Sequence, residues 1–357
     1  MKLEYEHGGD IYSRPVALDY SANINPLGLP EGVKKALLQG LEEGVFSVYP
    51  DSRCSGLRGA LGEYYQVPAD WILCGNGAAD LIFGLAEALC PRRALLLAPT
   101  FLEYGKALER VGCRIDSMFL KEETGFVPNM GEFCRRIEDG AYDLVFFCNP
   151  NNPTGISVSR EELLRAARAC ERAGTFLAVD ECFLEFLEDG KERSLIPSLG
   201  DLPGVMVFGA FTKMYAMAGL RLGYCLCSEE ALLEKMFRQR QPWAVSGPAQ
   251  AAGTAALQEK EYRRKSRRLI GREREYLAGA LKGLGFRVYP SQANYLFFKD
   301  EGKRPERWLY EALLSRGILI RSCGNYPGLD GSFYRICVKG REENERLIRE
   351  IGRLGAE

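Results

Sequence analysis

Two basic residues eight positions apart carry the strongest chemical signal in the chain. They are Lys213 and Arg221, within Thr212-Lys213-Met-Tyr-Ala-Met-Ala-Gly-Leu-Arg221-Leu-Gly-Tyr224. Apolar runs at 205–208 and 222–227 flank this stretch and read as buried strands, which places the lysine on a loop between them. Lysine is seldom interior for packing, because its charge must be paired or lost. When partly desolvated, its amine has a lowered pKa and can attack a carbonyl carbon to form an imine. An arginine close by suits a phosphate, whose oxygens its planar fork binds in pairs. Lys-x7-Arg alone arises often by chance. The flanks, T-K-x5-G-L-R-x-G-Y, make the pattern specific.

Four other turns follow apolar runs and hold unusual residues. Cys74-Gly-Asn-Gly77-Ala78-Ala79-Asp80 reads as strand, glycine turn and helix start. The free N–H groups of a helix start bind anions, although a plain strand-to-helix turn fits the same residues. Pro99-Thr-Phe101-Leu-Glu-Tyr104 opens the next helix, and a lone aromatic there equally serves as core. Cys148-Asn-Pro150-Asn-Asn152-Pro-Thr-Gly155 is polar and proline-rich directly after an apolar strand, which packing does not explain. Leu177-Ala-Val-Asp180-Glu181 ends a buried strand on a carboxylate, where a helix cap or a solvated turn is the plainer role. Near the N-terminus, His7-Gly-Gly9 and Ser21-Ala-Asn-Ile-Asn-Pro-Leu-Gly28 specify tight turns in what would otherwise be a loose arm.

Residues so placed need a scaffold that gathers strand ends. Apolar runs at 72–74, 94–98, 114–119, 144–148, 175–179, 205–208 and 222–227 alternate with helix-period stretches such as 79–89, 102–111 and 159–172. This alternation predicts an α/β protein with a mostly parallel sheet covered on both faces. Ligands in such sheets sit at the carboxyl ends of strands. Helices are expected at 31–44, after Pro30, and at 57–65. A long charged helix is expected over about 248–282, and Glu259, Glu261, Glu273 and Glu275 interleave with its bases, so it reads as solvated. Strands at 287–289, 294–298, 318–321 and 334–338, with helices at about 305–316 and 341–354, predict a smaller α+β unit. The expected division is an arm and helix at 1–45, a large domain at 46–245, and a connecting helix with a small C-terminal domain at 246–357.

Composition bounds the rest. A chain of 357 residues exceeds the usual single-core size, and 46% hydrophobic with 27% charged residues suits a large core with a solvated surface. A net charge of −1 offers no basic field for nucleic acid. Twelve scattered cysteines and a single histidine read as reduced core packing, with no metal site. Met1-Lys-Leu-Glu-Tyr-Glu-His7 has no apolar signal core and no run reaches spanning length, so a cytoplasmic protein without a membrane partner is expected.

Taken together, the lysine stretch and the four turns resemble the fold type I pyridoxal-phosphate enzymes, the class I/II aminotransferase family. The resemblance runs from His7 to about Arg349. It narrows to the branch of histidinol-phosphate aminotransferases and threonine-phosphate decarboxylases. The residues that narrow it are His7-Gly-Gly, Ser21 to Gly28, Tyr49-Pro-Asp, Arg238-Gln-Arg-Gln-Pro-Trp243, Ala293-Asn-Tyr295, Arg321-Ser-Cys-Gly-Asn-Tyr-Pro-Gly-Leu329 and Tyr334-Arg335. It implies pyridoxal 5'-phosphate bound covalently by Lys213. Its phosphate would lie against Gly77, the amides of Ala78 and Ala79, Thr212 and Arg221, with Tyr49 reaching it from the other subunit of a homodimer with shared sites. Phe101 would stack on the ring, Asn152 would bond the phenolic oxygen, and Asp180 would pair with the pyridine nitrogen. The substrate, a small phosphorylated amino acid, would meet Arg335 and Asn152 at its carboxylate end and Arg321 and His7 at its phosphate.

The resemblance implies decarboxylation of L-threonine O-3-phosphate to (R)-1-aminopropan-2-yl phosphate for cobalamin biosynthesis. Transamination of histidinol phosphate is the alternative, and serine phosphate is a further candidate substrate. A regulator that has lost catalysis would carry a DNA-binding module, for which neither end of the chain has room. Three positions depart from the usual pattern, the first from that of the transaminases and the other two from that of the family. Phe183 stands where a tyrosine is usual, Ala210 where a serine or threonine is usual, and Ser246 where an asparagine is usual. The first favours decarboxylation; the other two bear on cofactor affinity and substrate choice.

Overall fold

The computed structural model describes residues 7–13, 15–302 and 304–356. A two-residue strand β1 (Leu18–Asp19) precedes helices α1 (Glu31–Glu42) and α2 (Ser55–Tyr65). The alternating centre then gives β2 (Ile72–Gly75), α3 (Gly77–Leu89), β3 (Arg93–Ala98), α4 (Leu102–Arg110), β4 (Arg114–Phe119), α5 (Met130–Gly140) and β5 (Leu144–Cys148). It continues through α6 (Arg160–Ala173), β6 (Phe176–Asp180), the short α7 (Gly190–Arg193), β7 (Val205–Ala210), the one-turn α8 (Phe211–Met214) and β8 (Gly223–Leu226). After these come α9 (Glu230–Gln239), α10 (Gly247–Leu257), α11 (Lys260–Gly283), β9 (Phe286–Val288) and β10 (Tyr295–Asp300). The chain closes with α12 (Trp308–Ser315), β11 (Ile318–Leu319), β12 (Arg321–Ser322), β13 (Phe333–Cys337) and α13 (Arg341–Ala356).

Seven strands form one sheet in the order β2-β8-β7-β6-β5-β3-β4. The neighbours from β7 through β4 pair in parallel, and β8 alone runs antiparallel to both of its neighbours. Side chains alternate between the two faces, as a strand's period of two requires. Leu144, Phe146 and Cys148 of β5 join a core with Leu81, Leu85 and Tyr104, whereas Val145 and Phe147 join the core on the other face. Both faces are therefore apolar, which is why these strands read as continuous apolar runs. A second sheet, β12-β13-β10-β9, is antiparallel throughout, and β1 pairs in parallel with β11. No helix among the described residues is long and apolar enough to cross a membrane.

Three expectations change in detail. The helix expected at 248–282 is two helices, broken at Gln258 and Glu259. Glu259 leaves helical geometry with ψ at 57°, and its carboxylate accepts from the Gly32 amide of α1 at 2.9 Å. A tertiary bond thus breaks a run that contains neither proline nor glycine at that point. Nor is α11 solvated all round, because Ile270, Glu273, Leu277 and Leu281 are buried along one face. Glu273 is held there by Arg341 and Asn344. The strand expected at 318–321 serves two sheets, with Ile318–Leu319 pairing with β1 and Arg321–Ser322 pairing with β13.

Candidate active site

Parallel strands end on one edge of a sheet, and that edge is where the chemical residues meet. Gly77, Ala78 and Ala79 follow β2, Phe101 follows β3, Asn152 follows β5, Asp180 closes β6, and Lys213 follows β7. Because β8 is reversed, it begins at the same edge and brings Arg221 there. These residues, with Thr212, line a cavity of about 430 Å³. Its opposite wall carries Arg321 and Arg335 from β12 and β13, and His7, Gly8 and Ser21 to Asn23 from the N-terminal segment. Twelve of the thirteen expected site residues are therefore together.

Lys213 sits on the single turn of α8, where the sequence pointed only to a loop. Its ammonium makes no hydrogen bond or ion pair among the described residues and lies 6.0 Å from the centre of the Phe183 ring. Burial and then Arg335 lower its pKa to about 8, with Cys182 and Asp180 opposing. The side chain is open to the cavity yet enclosed deep in the protein, which is the setting that favours a neutral amine. Asp180 is only 5% exposed. The Tyr104 hydroxyl donates to its Oδ2 at 2.6 Å, and the Cys182 amide donates to its Oδ1 at 2.9 Å. Both oxygens are thus fixed, with the side chain bordering the cavity.

The two arginines are direct partners in the β12–β13 register. Each is 7% exposed or less, and no carboxylate pairs with either among the described residues. Arg335 donates through Nη1 to Asn152 Oδ1 and through Nη2 to the Ser21 carbonyl at 2.7 Å. Arg321 donates to the Ser322 carbonyl at 2.6 Å and to Asn325 Oδ1 at 2.7 Å. At the other end, Gly77 adopts φ +81° and the Arg221 guanidinium lies hard against it. A Cβ on Gly77 would come within 2.6 Å of Arg221 Nη2. The N-terminus of α3 and the guanidinium therefore form one anion cradle, with Thr212 buried in the same wall.

His7 reaches the cavity from the arm. Its Nε2 lies 2.9 Å from Glu103 Oε1 and 2.9 Å from Lys106 Nζ, both on α4. This contact with His7, followed by Lys106, holds the Glu103 carboxyl near 2. Phe101 packs edge-on against Tyr104, with ring centres 5.4 Å apart. Phe183 and Ala210 also line the cavity. Ser246 instead caps α10, its hydroxyl accepting from the Ala249 amide at 3.3 Å. Tyr49 does not line the cavity; it is 78% exposed and stacks on Trp243 at 4.4 Å.

Several cavity residues escaped the sequence reading: Ser21, Asn23, Glu103, Cys182 and Tyr326. Tyr104, which lies outside the lining, was missed as the partner of Asp180. Tyr104 stood three residues after Phe101 in a helix start, a spacing that puts both on one face. Ser21, Asn23, Glu103 and Tyr326 lay in stretches already marked but had been given no role, and no signal marked Cys182. The donor set fits pyridoxal phosphate: a lone amine of lowered pKa, a cradle that only glycine permits, and a carboxylate whose two oxygens are held in place.

Residues 16–351 match the family described as aminotransferase class I and II. The threonine-phosphate decarboxylase of Salmonella typhimurium is 40% identical over 351 residues, covering 96% of this chain and 94% of that protein. The histidinol-phosphate aminotransferase of Symbiobacterium thermophilum is 36% identical over 332 residues, covering 92% of this chain and 88% of its own. Among solved structures, the histidinol-phosphate aminotransferase of Clostridium acetobutylicum superposes with a TM-score of 0.86 at 30% identity, covering 95% of this chain and 99% of that one. With the match running almost end to end, and the strand-end residues gathered as that family's sequence pattern requires, this chain belongs to the aminotransferase class I and II family.

Proposed function

We propose that this chain is a pyridoxal-phosphate-dependent carboxy-lyase that converts L-threonine O-3-phosphate to (R)-1-aminopropan-2-yl phosphate in cobalamin biosynthesis. What carries this is the pair of buried guanidiniums, Arg321 and Arg335, adjacent in register and without a carboxylate. Two cations side by side in an interior call for anionic charge to offset them. A phosphorylated amino acid brings two such groups, a carboxylate and a phosphate. Histidinol phosphate brings only the phosphate. The Salmonella relative, 40% identical, supports the same choice.

When bound, the cofactor supplies an electron sink for a bond at the substrate Cα. The chain's own residues then hold, orient and move protons. Lys213 holds the cofactor and, with an amine of pKa about 8, can carry a proton at Cα. Asp180, fixed by Tyr104 and the Cys182 amide, would pair with the pyridine nitrogen and keep it protonated. Phe101 would stack on the ring, Asn152 would bond its phenolic oxygen, and Gly77, Ala78, Ala79, Thr212 and Arg221 would hold its phosphate. Arg335 with Asn152 takes the substrate carboxylate, and Arg321 with His7 takes its phosphate. Which bond at Cα breaks follows from the angle at which these two anchors present the substrate.

A homodimer belongs to the same proposal, with Tyr49 of the partner subunit reaching the cofactor phosphate. Tyr49, Phe46, Val48 and Trp243 are all exposed apolar side chains, as an interface would require. A sedimentation mass of one chain would remove the shared site. The divisions at residues 45 and 245, and a cytoplasmic location that suits twelve free cysteines, complete the proposal.

The test is a product assay on the holoprotein with O-phospho-L-threonine, with and without 2-oxoglutarate. Carbon dioxide and aminopropanol phosphate, formed without the keto acid, are expected. Glutamate formed only with 2-oxoglutarate as amino-group acceptor, or turnover of histidinol phosphate alone, would make the chain an aminotransferase, as the 36%-identical relative is named. Lys213→Ala should lose the imine absorbance band.

A further inference from the structure

One polar group on the cavity wall has no assignment above. Tyr326 is 4% exposed and lines the cavity, and the protein group nearest its hydroxyl is the Arg321 guanidinium, itself a donor. The sealed, unpartnered side-chain polar atoms are Asn23 Oδ1, Asn294 Oδ1 and Arg335 Nε. Tyr326 Oη is not one of them, and its residue borders the cavity. A phenol so nearly enclosed usually finds a partner for its hydroxyl.

Its surroundings say what that partner is. The Arg321 guanidinium lies 5.2 Å from the ring centre. A tight turn fixes the ring: the Tyr326 amide donates to the Cys323 carbonyl at 3.0 Å, and the Leu329 amide to the Tyr326 carbonyl at 3.0 Å. The neighbouring Asn325 accepts from Arg321 Nη2, so one turn positions both donors. Burial raises the phenol's pKa, with Arg335 and then Arg321 opposing, so the hydroxyl keeps its proton. A proton donor whose charged neighbours are both cations suits an anion. A phosphate monoester has three terminal oxygens, and one arginine fork takes two of them.

We propose that the Tyr326 hydroxyl donates to the substrate's phosphate beside Arg321 and selects a phosphate over a planar carboxylate at that end. This rests on the phosphorylated-substrate reading above, and it adds a specificity residue to it. Tyr326→Phe removes the hydroxyl, whose protein neighbour is the Arg321 guanidinium, and keeps the ring that packs beside it.

The experiment compares wild-type and Tyr326→Phe holoprotein in two assays. In steady-state turnover of O-phospho-L-threonine, KM should rise about tenfold or more, the loss of one hydrogen bond to a charged group, with kcat little changed. In calorimetric titration with O-phosphoethanolamine, a phosphate monoester without a carboxylate, the Kd should weaken by a similar factor. Melting temperature should agree within about 2 °C, which separates the effect from unfolding. Equal KM and Kd in the two proteins would overturn the assignment, and so would a loss confined to kcat. If the wild type does not turn over O-phospho-L-threonine, the functional reading fails while the titration still decides Tyr326. Weaker binding by the variant supports it. Equal binding, or no phosphate-monoester binding by either protein, overturns it.

Discussion

The free amine of Lys213 should react with pyridoxal phosphate on a pH curve centred near 8. Burial and Arg335 stabilise its neutral form, which is the nucleophile. With a pKa of about 8, roughly a tenth of the amine is neutral at pH 7 and about nine-tenths at pH 9. Capture by the cofactor-free protein should therefore quicken about tenfold between those two pH values and then level off. A lysine of ordinary pKa would quicken about a hundredfold over the same interval and keep climbing. The assay is stopped-flow absorbance with cofactor in excess, each end point verified by borohydride reduction and peptide mass at Lys213. Arg335→Gln removes a neighbouring cation that disfavours the ammonium, so its midpoint should move to higher pH. A wild-type rate still rising tenfold per pH unit beyond pH 9 would refute the assignment of a depressed pKa. A midpoint that Arg335→Gln leaves unmoved would remove Arg335 from its causes.

Gly77→Ala should weaken cofactor binding about tenfold or more, because a Cβ would press on Arg221 Nη2 at a backbone φ of +81° that disfavours L side chains. Fluorescence titration of the cofactor-free protein measures it, and an unchanged Kd would mean that the cradle does not hold the phosphate. Glu181 is buried, which raises its carboxyl to about 7, while the Ser194 hydroxyl and the Leu195 amide donate to it. Its folded pKa lies above the unfolded value, so its contribution is complete below about pH 4 and is lost as pH rises through 7. Glu181→Gln should flatten the fall in urea midpoint between about pH 5 and 7.5. Parallel slopes for the two proteins would show that Glu181 does not titrate there.

Much of the fold was legible because its signals are local. All seven strands of the large sheet appear within two residues of the apolar runs that announced them. The turns after β2, β5 and β7 declared themselves by glycine, asparagine, proline and lysine where packing would select none of them. What stayed hidden depends on partners distant in sequence. The break at Glu259 is made by the Gly32 amide, and the split of 318–322 is made by two different sheets competing for adjacent residues. Ser246 stood out in sequence only as a departure from the family's asparagine, and its part in capping α10 shows only in space.

The sequence by itself determined which residues could do the chemistry and that they would follow strands, since residue type and hydrophobic period are properties of short stretches. Only the tertiary structure decided that Arg321 faces Arg335, that Tyr104 anchors Asp180, and that Tyr326 opens on the cavity. Such relations arise from strand register and from the packing of one sheet's edge against another, and no short stretch of chain encodes either.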